Sequence, residues 1–214
     1  MSRQFAQHEM YPSSNDGPPE RRTIVVSDLA ARWPTRRHEV RVLAGHFPLC
    51  TREILGDDFT TFTVLRDPVE RVWSALREQR QKVPELAARS FEEIYFDPLR
   101  HAMYRNHMVK MFAMRPEEET SGLLTPLDMG HGHVERALLG LESCDSVGFQ
   151  HDFDGFCARL ERDYGWNLGA PTVANASEPE DMPDEIIEIV TEDNALDVAF
   201  YAEACDRFGT PPMS

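Results

Sequence analysis

The stretch that most constrains the fold lies at residues 59–74, FTTFTVLRDPVERVWS. Its first half, Phe59 to Leu65, is a run of β-branched and aromatic residues with the length of a buried strand. Apolar residues at helical spacing begin after Pro68, and Asp67 in front of it is a favourable helix N-cap. The stretch therefore predicts a strand, a tight turn and a helix over residues 68–82.

The turn between this strand and this helix is a candidate anion-binding site. A helix that starts at the carboxyl end of a strand directs free N–H groups and its dipole toward anions. Arg66 adds a guanidinium at the same place. Because the motif is short, an alternative stays open in which Asp67 and Pro68 only cap the helix and Arg66 pairs with a neighbouring acid.

Strands that alternate with helices predict an α/β fold with a central parallel sheet, in a single domain over residues 1–214. Two further strands are predicted from short apolar runs, at residues 40–44 and 146–149. Helical spacing or composition predicts helices at 2–9, 27–33, 99–114 and 153–164, and we expect Pro34 to end the second of these.

The net charge of −15 is unevenly distributed along the chain. Residues 1–115 carry 18 basic and 15 acidic side chains, whereas residues 116–214 carry 4 basic and 22 acidic ones. An anionic ligand is therefore expected to bind the first half. The sequence pI of about 4.9 argues against general nucleic-acid binding.

Several other classes are disfavoured by the sequence. No apolar run approaches the ~20 residues that a membrane span needs, so we expect a cytoplasmic protein without a membrane partner. His131-Gly132-His133 offers at most two metal ligands, which is too few for a structural zinc site. The four cysteines are widely spaced and predict reduced thiols.

Four blocks in this order resemble the PAPS-dependent sulfotransferases. They are VLAGHFP, TVLRDPVERVWSAL, DSVGF and EDNALDVAFYAEACDRF, and the resemblance runs from about Gly45 onward. The sequence looks closest to the branch of carbohydrate O-sulfotransferases and their bacterial relatives. The resemblance implies a P-loop-like three-layer fold, PAPS as co-substrate without a metal, and a hydroxyl acceptor on a carbohydrate or small molecule.

The resemblance also assigns roles to individual residues. Arg66 and Ser74 match the pair that holds the 3′-phosphate of the nucleotide, although Ser74 alone could be a helical serine that faces solvent. His46 matches the general base, with a histidine held by backbone at a turn as the alternative. Arg71 matches a second arginine that we interpret as part of a structural ion pair, and His107 is a second-rank candidate base.

One expected motif is missing. Such enzymes bind the 5′-phosphosulfate with a loop like P-K-T-G-G-T-S, and neither this loop nor G-x-x-x-x-G-K-[ST] occurs here. The only lysines are Lys82 and Lys110, and neither lies in a glycine-rich turn. We expect that the sequence begins late and lacks the first strand with its loop. The alternative is a degenerate relative that serves as a binding module; a P-loop kinase is disfavoured by the same missing motif.

Overall fold

The computed structural model describes residues 5–13, 16, 25–169 and 181–209. It confirms an α/β fold in which short parallel strands alternate with helices. The strands are β1 (Met10–Tyr11), β2 (Val42–Leu43), β3 (Phe62–Leu65) and β4 (Ser146–Phe149). The helices are α1 (Val26–Arg36), α2 (Thr51–Leu55), α3 (Pro68–Lys82), α4 (Phe91–Tyr95), α5 (His101–Tyr104), α6 (His107–Ala113), α7 (His131–Glu142), α8 (Phe153–Tyr164), α9 (Asp184–Asp193) and α10 (Ala195–Phe208).

The strands form two separate parallel pairs within the described part of the chain. β1 pairs with β2, with Met10 opposite Val42 and Tyr11 opposite Leu43. β3 pairs with β4, from Phe62 opposite Ser146 to Leu65 opposite Phe149. The predicted parallel pairing is therefore present, but β2 and β3 are not hydrogen-bonded to each other in one sheet.

The segment around Asp67 forms the predicted strand, turn and helix, but β3 begins at Phe62 rather than Phe59, and of its four residues Leu65 alone is buried. α3 begins at Pro68 and ends at Lys82, as expected. Asp67 Oδ1 accepts hydrogen bonds from the N–H groups of Val69 and Glu70, both at 3.0 Å. This cap satisfies two donors of the first turn and fixes where the helix starts relative to β3.

Three apolar clusters hold the elements together. One joins Leu65 of β3 and Phe149 of β4 to α6, α7 and α10. A second packs α3 against α4, α5 and α9. The third, which contains Tyr11, Leu29 and Trp33, belongs to the first part of the chain. The β1–β2 pair thus has a core of its own.

Two helix predictions were wrong. α1 continues through Pro34 to Arg36. The loss of one backbone donor is tolerated because the buried side chains of Leu29 and Trp33 anchor the helix in the core. The expected single helix over 99–114 is two helices, α5 and α6, separated at Asn106.

Asn106 breaks this helix because its hydrogen-bonding groups bind a distant part of the chain. Its φ of 43° is left-handed, and its N–H donates to Asn194 Oδ1 at 2.7 Å. Its side-chain oxygen accepts from the N–H groups of Leu196 and Asp197. These bonds outweigh the local helical preference of the segment.

The beginning of the described chain also differs from the prediction. Only residues 5–9 of the expected helix at 2–9 are described, and they contain a 3₁₀ turn at Gln7–Glu9 followed by β1. β1 and α7 were not predicted.

Candidate functional site

A cavity of about 1040 Å³ is lined by β2 and β3, one strand from each pair. Its volume reaches the upper end of the range of ligand pockets. The segments that follow the two strands line it as well. The cavity is therefore the candidate site.

His46 lies on the wall of this cavity, three residues after β2. Its side chain is exposed to the cavity, but the surrounding protein atoms lower the pKa of the imidazole by desolvation. Arg71 lowers this pKa further, and Glu78 opposes the shift. A lowered pKa keeps the imidazole neutral near pH 7, which is the form that accepts a proton.

Arg66 lines the same cavity from the turn after β3. Its Nε lies 3.4 Å from Glu70 Oε2, and the two side chains are 29% and 67% exposed. The pairing with a neighbouring acid, raised as an alternative from the sequence, is therefore present. An exposed pair of this length is weak, so it does not prevent the guanidinium from binding another anion.

Ser74 is not among the residues that line the cavity. It is half-buried on α3, six residues after Pro68, which corresponds to about 9 Å along the helix axis. The structure thus brings His46 and Arg66 to one cavity and leaves Ser74 outside its wall.

Arg71, one turn into α3, does reach the cavity. Its Nη2 donates to the carbonyl oxygen of Tyr104 at 2.8 Å, while its Nε is buried without a hydrogen-bond partner. Within the described ranges, no carboxylate oxygen lies within ion-pair distance of this guanidinium, so the expected structural ion pair is not formed. Burial lowers the pKa of Arg71, and the charge of Asp197 opposes the shift.

His107 also lines the cavity, at the start of α6. The centres of the His46 and His107 rings lie 6.2 Å apart, and His107 Nδ1 is buried without a hydrogen-bond partner. Burial holds the pKa of His107 well below its usual value, with Arg71, Lys110 and His46 acting in the same direction and the Met103 carbonyl against it.

Buried polar groups behind the cavity fix the position of α6. Both side-chain oxygens of Asp197 accept backbone N–H groups, from Met108 at 2.9 Å and Val109 at 2.8 Å. The ammonium of Lys110 donates to the carbonyls of Ala102 and Leu123, and burial lowers its pKa to about 8. No local sequence pattern indicates this network, because its members come from α5, α6, α10 and the turn at Leu123.

The part of the cavity near the start of β3 has a different character. Phe62 makes edge-to-face contacts with Tyr164 and Trp166, with ring centres 4.9 and 5.2 Å apart. Arg37, which lines the cavity too, donates to Asp57 Oδ1 at 2.7 Å. In the described part of the cavity wall, the buried polar atoms without a hydrogen-bond partner belong to Thr51, Arg71 and His107.

The His131-Gly132-His133 segment opens α7 rather than a loop. His133 Nδ1 accepts a hydrogen bond from the N–H of Gly130 at 3.1 Å. No group of three or more potential metal ligands occurs among the residues whose positions are described. The four cysteines are free thiols, and no described helix is both long enough and apolar enough to cross a membrane.

No family model, curated protein or solved structure matches this chain. The geometry of the cavity and the sequence motifs that line it are therefore the basis for assigning a function.

Proposed function

We propose that this chain is a sulfotransferase-type domain that moves a sulfuryl group from PAPS to a hydroxyl. The observation that carries the proposal is the meeting of His46 and Arg66 on one cavity, each just after the end of a parallel strand. Ligands of α/β folds commonly bind at this end of the strands. A basic fork and a neutral imidazole are the groups that the reaction needs there.

In the proposed reaction, Arg66 binds the 3′-phosphate of the nucleotide through charge-assisted hydrogen bonds. The acceptor oxygen forms a bond to sulfur, the bond between sulfur and the 5′-phosphate oxygen breaks, and the hydroxyl proton passes to a nitrogen of His46. The leaving group departs as 3′,5′-bisphosphoadenosine. The acceptor would be a carbohydrate or a small alcohol, in the cytoplasm.

The residues of the cavity fit the nucleotide only in part. Arg66 and His46 fit their roles, whereas Ser74 is not on the cavity wall and no lysine lines it in the described part of the chain. The 5′-phosphosulfate therefore lacks the lysine donor that the resemblance leads one to expect.

For the fold, we propose a P-loop-like central parallel sheet in which one further strand would lie between β2 and β3. Residues of both strands line the cavity, and the side chain of Val64 in β3 is 39% exposed. The composition of residues 59–65 is instead typical of a strand that is covered on both faces. An added strand would pair the free edges, cover Val64 and fill the part of the cavity that runs along β2 and β3, which leaves the proposed nucleotide site beyond the strand ends, at His46 and Arg66.

A direct test is the formation of 3′,5′-bisphosphoadenosine from PAPS in the presence of a panel of carbohydrate and small-alcohol acceptors. We expect His46→Ala to lower the rate by roughly 100-fold or more, since general bases contribute about that much. His38→Ala is the matched control, because His38 lines the cavity and is exposed, but lies outside the His46–His107 group. No product from the folded wild-type chain with any acceptor would contradict the enzymatic proposal.

The second candidate is a binding module with this fold that does not catalyse transfer. The absence of lysine from the described cavity wall favours it. It predicts nucleotide binding without turnover, so a saturable complex in a sample that forms no product would support it.

A further inference from the structure

Four nitrogen-bearing side chains converge on one part of the cavity. His46 follows β2, Arg66 follows β3, Arg71 comes from α3 and His107 from α6. They are close enough for Arg71 to disfavour the protonated forms of both histidines, and for Arg66 to act on Arg71 in the same way. Arg66 and Arg71 carry like charges, and a bound anion would offset their mutual repulsion.

The nearby acids do not neutralise this group by direct contact. The two oxygens of Asp197 are engaged by the N–H groups of Met108 and Val109. Within the described part of the chain, the carboxylate of Glu70 pairs with Arg66, whereas that of Glu78 pairs with Lys82 and acts on His46 through space. Among the described residues, Arg71 thus makes one side-chain hydrogen bond, to Tyr104, out of the five N–H donors of a guanidinium.

Among the described residues of the cavity wall, three buried atoms lack a hydrogen-bond partner: Arg71 Nε, His107 Nδ1 and Thr51 Oγ1. A buried polar atom without a partner is unfavourable by roughly 1–3 kcal/mol. Other arginines of the cavity wall differ in this respect, since Arg37 is bonded to Asp57 and Arg41 lies 3.6 Å from Glu9. Of the described arginines on the cavity wall, Arg71 alone has a buried nitrogen without a hydrogen-bond partner.

From these observations we propose that Arg71 and His107 form a binding site for a tetrahedral oxyanion, either inorganic sulfate or phosphate or the terminal group of a sulfate or phosphate ester. A tetrahedral anion offers several acceptor oxygens, and a guanidinium fork matches two of them. The site does not depend on the proposed reaction, because it uses neither the 3′-phosphate contact of Arg66 nor proton transfer to His46.

The test is a calorimetric titration of the chain with sodium sulfate and, separately, with inorganic phosphate, at an ionic strength held constant with sodium chloride. We expect saturable binding that Arg71→Gln weakens roughly tenfold or more and His107→Gln weakens several-fold. Arg37→Gln is the matched control, because it removes the same charge from another part of the same cavity and should change the affinity less than twofold.

A second measurement covers the case in which Arg71→Gln does not fold. Arg71→Lys keeps the charge but loses the planar fork, and it should weaken sulfate binding while leaving the far-ultraviolet circular dichroism unchanged. In the wild-type chain, the side-chain Nε–H resonance of Arg71 should shift on addition of sulfate.

The proposal is overturned if the wild-type chain shows no saturable sulfate or phosphate binding, or if folded Arg71 variants bind these anions as tightly as the wild type. Its outcome is separate from that of the sulfotransferase proposal. Sulfate binding through Arg71 without any binding of bisphosphoadenosine would support this site and reject the sulfotransferase function. Binding of bisphosphoadenosine, together with a sulfate affinity that the Arg71 variants leave unchanged, would reject this site and support that function.

Discussion

Replacement of Asp197 by alanine should destabilise the fold strongly, because this carboxylate fixes the start of α6 beside His107. Asp197 is fully buried, and its two oxygens accept the N–H groups of Met108 and Val109, which are 5% and 0% exposed. Each buried N–H left without an acceptor costs about 1–3 kcal/mol. Relief of the buried charge offsets part of this, and we expect a loss of about 3–5 kcal/mol in the free energy of unfolding.

The measurement is urea denaturation followed by circular dichroism. Asp197→Asn keeps one acceptor oxygen and should lose roughly half as much. Asp206→Ala, an exposed position on the same helix α10, is the control and should stay within about 0.5 kcal/mol of the wild type. If Asp197→Ala stayed within about 1 kcal/mol of the wild type, the assignment of Asp197 as the cap of α6 would be refuted.

Three further predictions follow from the site and its supports. Arg66→Ala should weaken binding of 3′,5′-bisphosphoadenosine by roughly tenfold or more in calorimetry, and unchanged affinity would remove Arg66 from the nucleotide site. Gly140→Ala should destabilise α7 by about 1–3 kcal/mol in urea denaturation, because its Cβ would lie 2.7 Å from the carbonyl oxygen of Phe112. Gly132→Ala in the same helix meets nothing within 4 Å and should be stabilising by about 0.5–1 kcal/mol, so equal effects of the two changes would contradict the close packing. The pKa of His107 is lowered in the folded state, so as the pH falls below about 6.5 this histidine becomes protonated in the unfolded chain first. The free energy of unfolding should therefore fall by up to about 1.4 kcal/mol per pH unit. His107→Gln should reduce this slope in denaturation midpoints measured from pH 7 to 5, and an unchanged slope would contradict the burial of a neutral imidazole.

The elements that the sequence predicted well are those with local determinants. Asp67 and Pro68 fix the start of α3 through contacts within three residues. The apolar residues on one face of α8 predict the extent of that helix, from residue 153 to residue 164. The break at Asn106 was missed because its partner Asn194 lies 88 residues away in the sequence. β1, with two residues, is too short to show an alternating pattern.

The same distinction between local and distant determinants holds for the candidate site. The sequence placed His46 and Arg66 at the ends of predicted strands, and both line the cavity. It could not show that Arg71 would lack an acidic partner, since that depends on how α3 packs against α5 and α6. Nor could it show that Ser74 would lie off the cavity wall, because the spacing of eight residues to Arg66 fixes only its place along α3.

The most direct test of the central proposal is a calorimetric titration of the wild-type chain with 3′,5′-bisphosphoadenosine, with 5′-AMP as the control. We expect saturable binding that requires the 3′-phosphate, because Arg66 is the group that would hold it. Equal affinity for both nucleotides, or no binding by a folded sample, would contradict a sulfotransferase-type nucleotide site in this cavity.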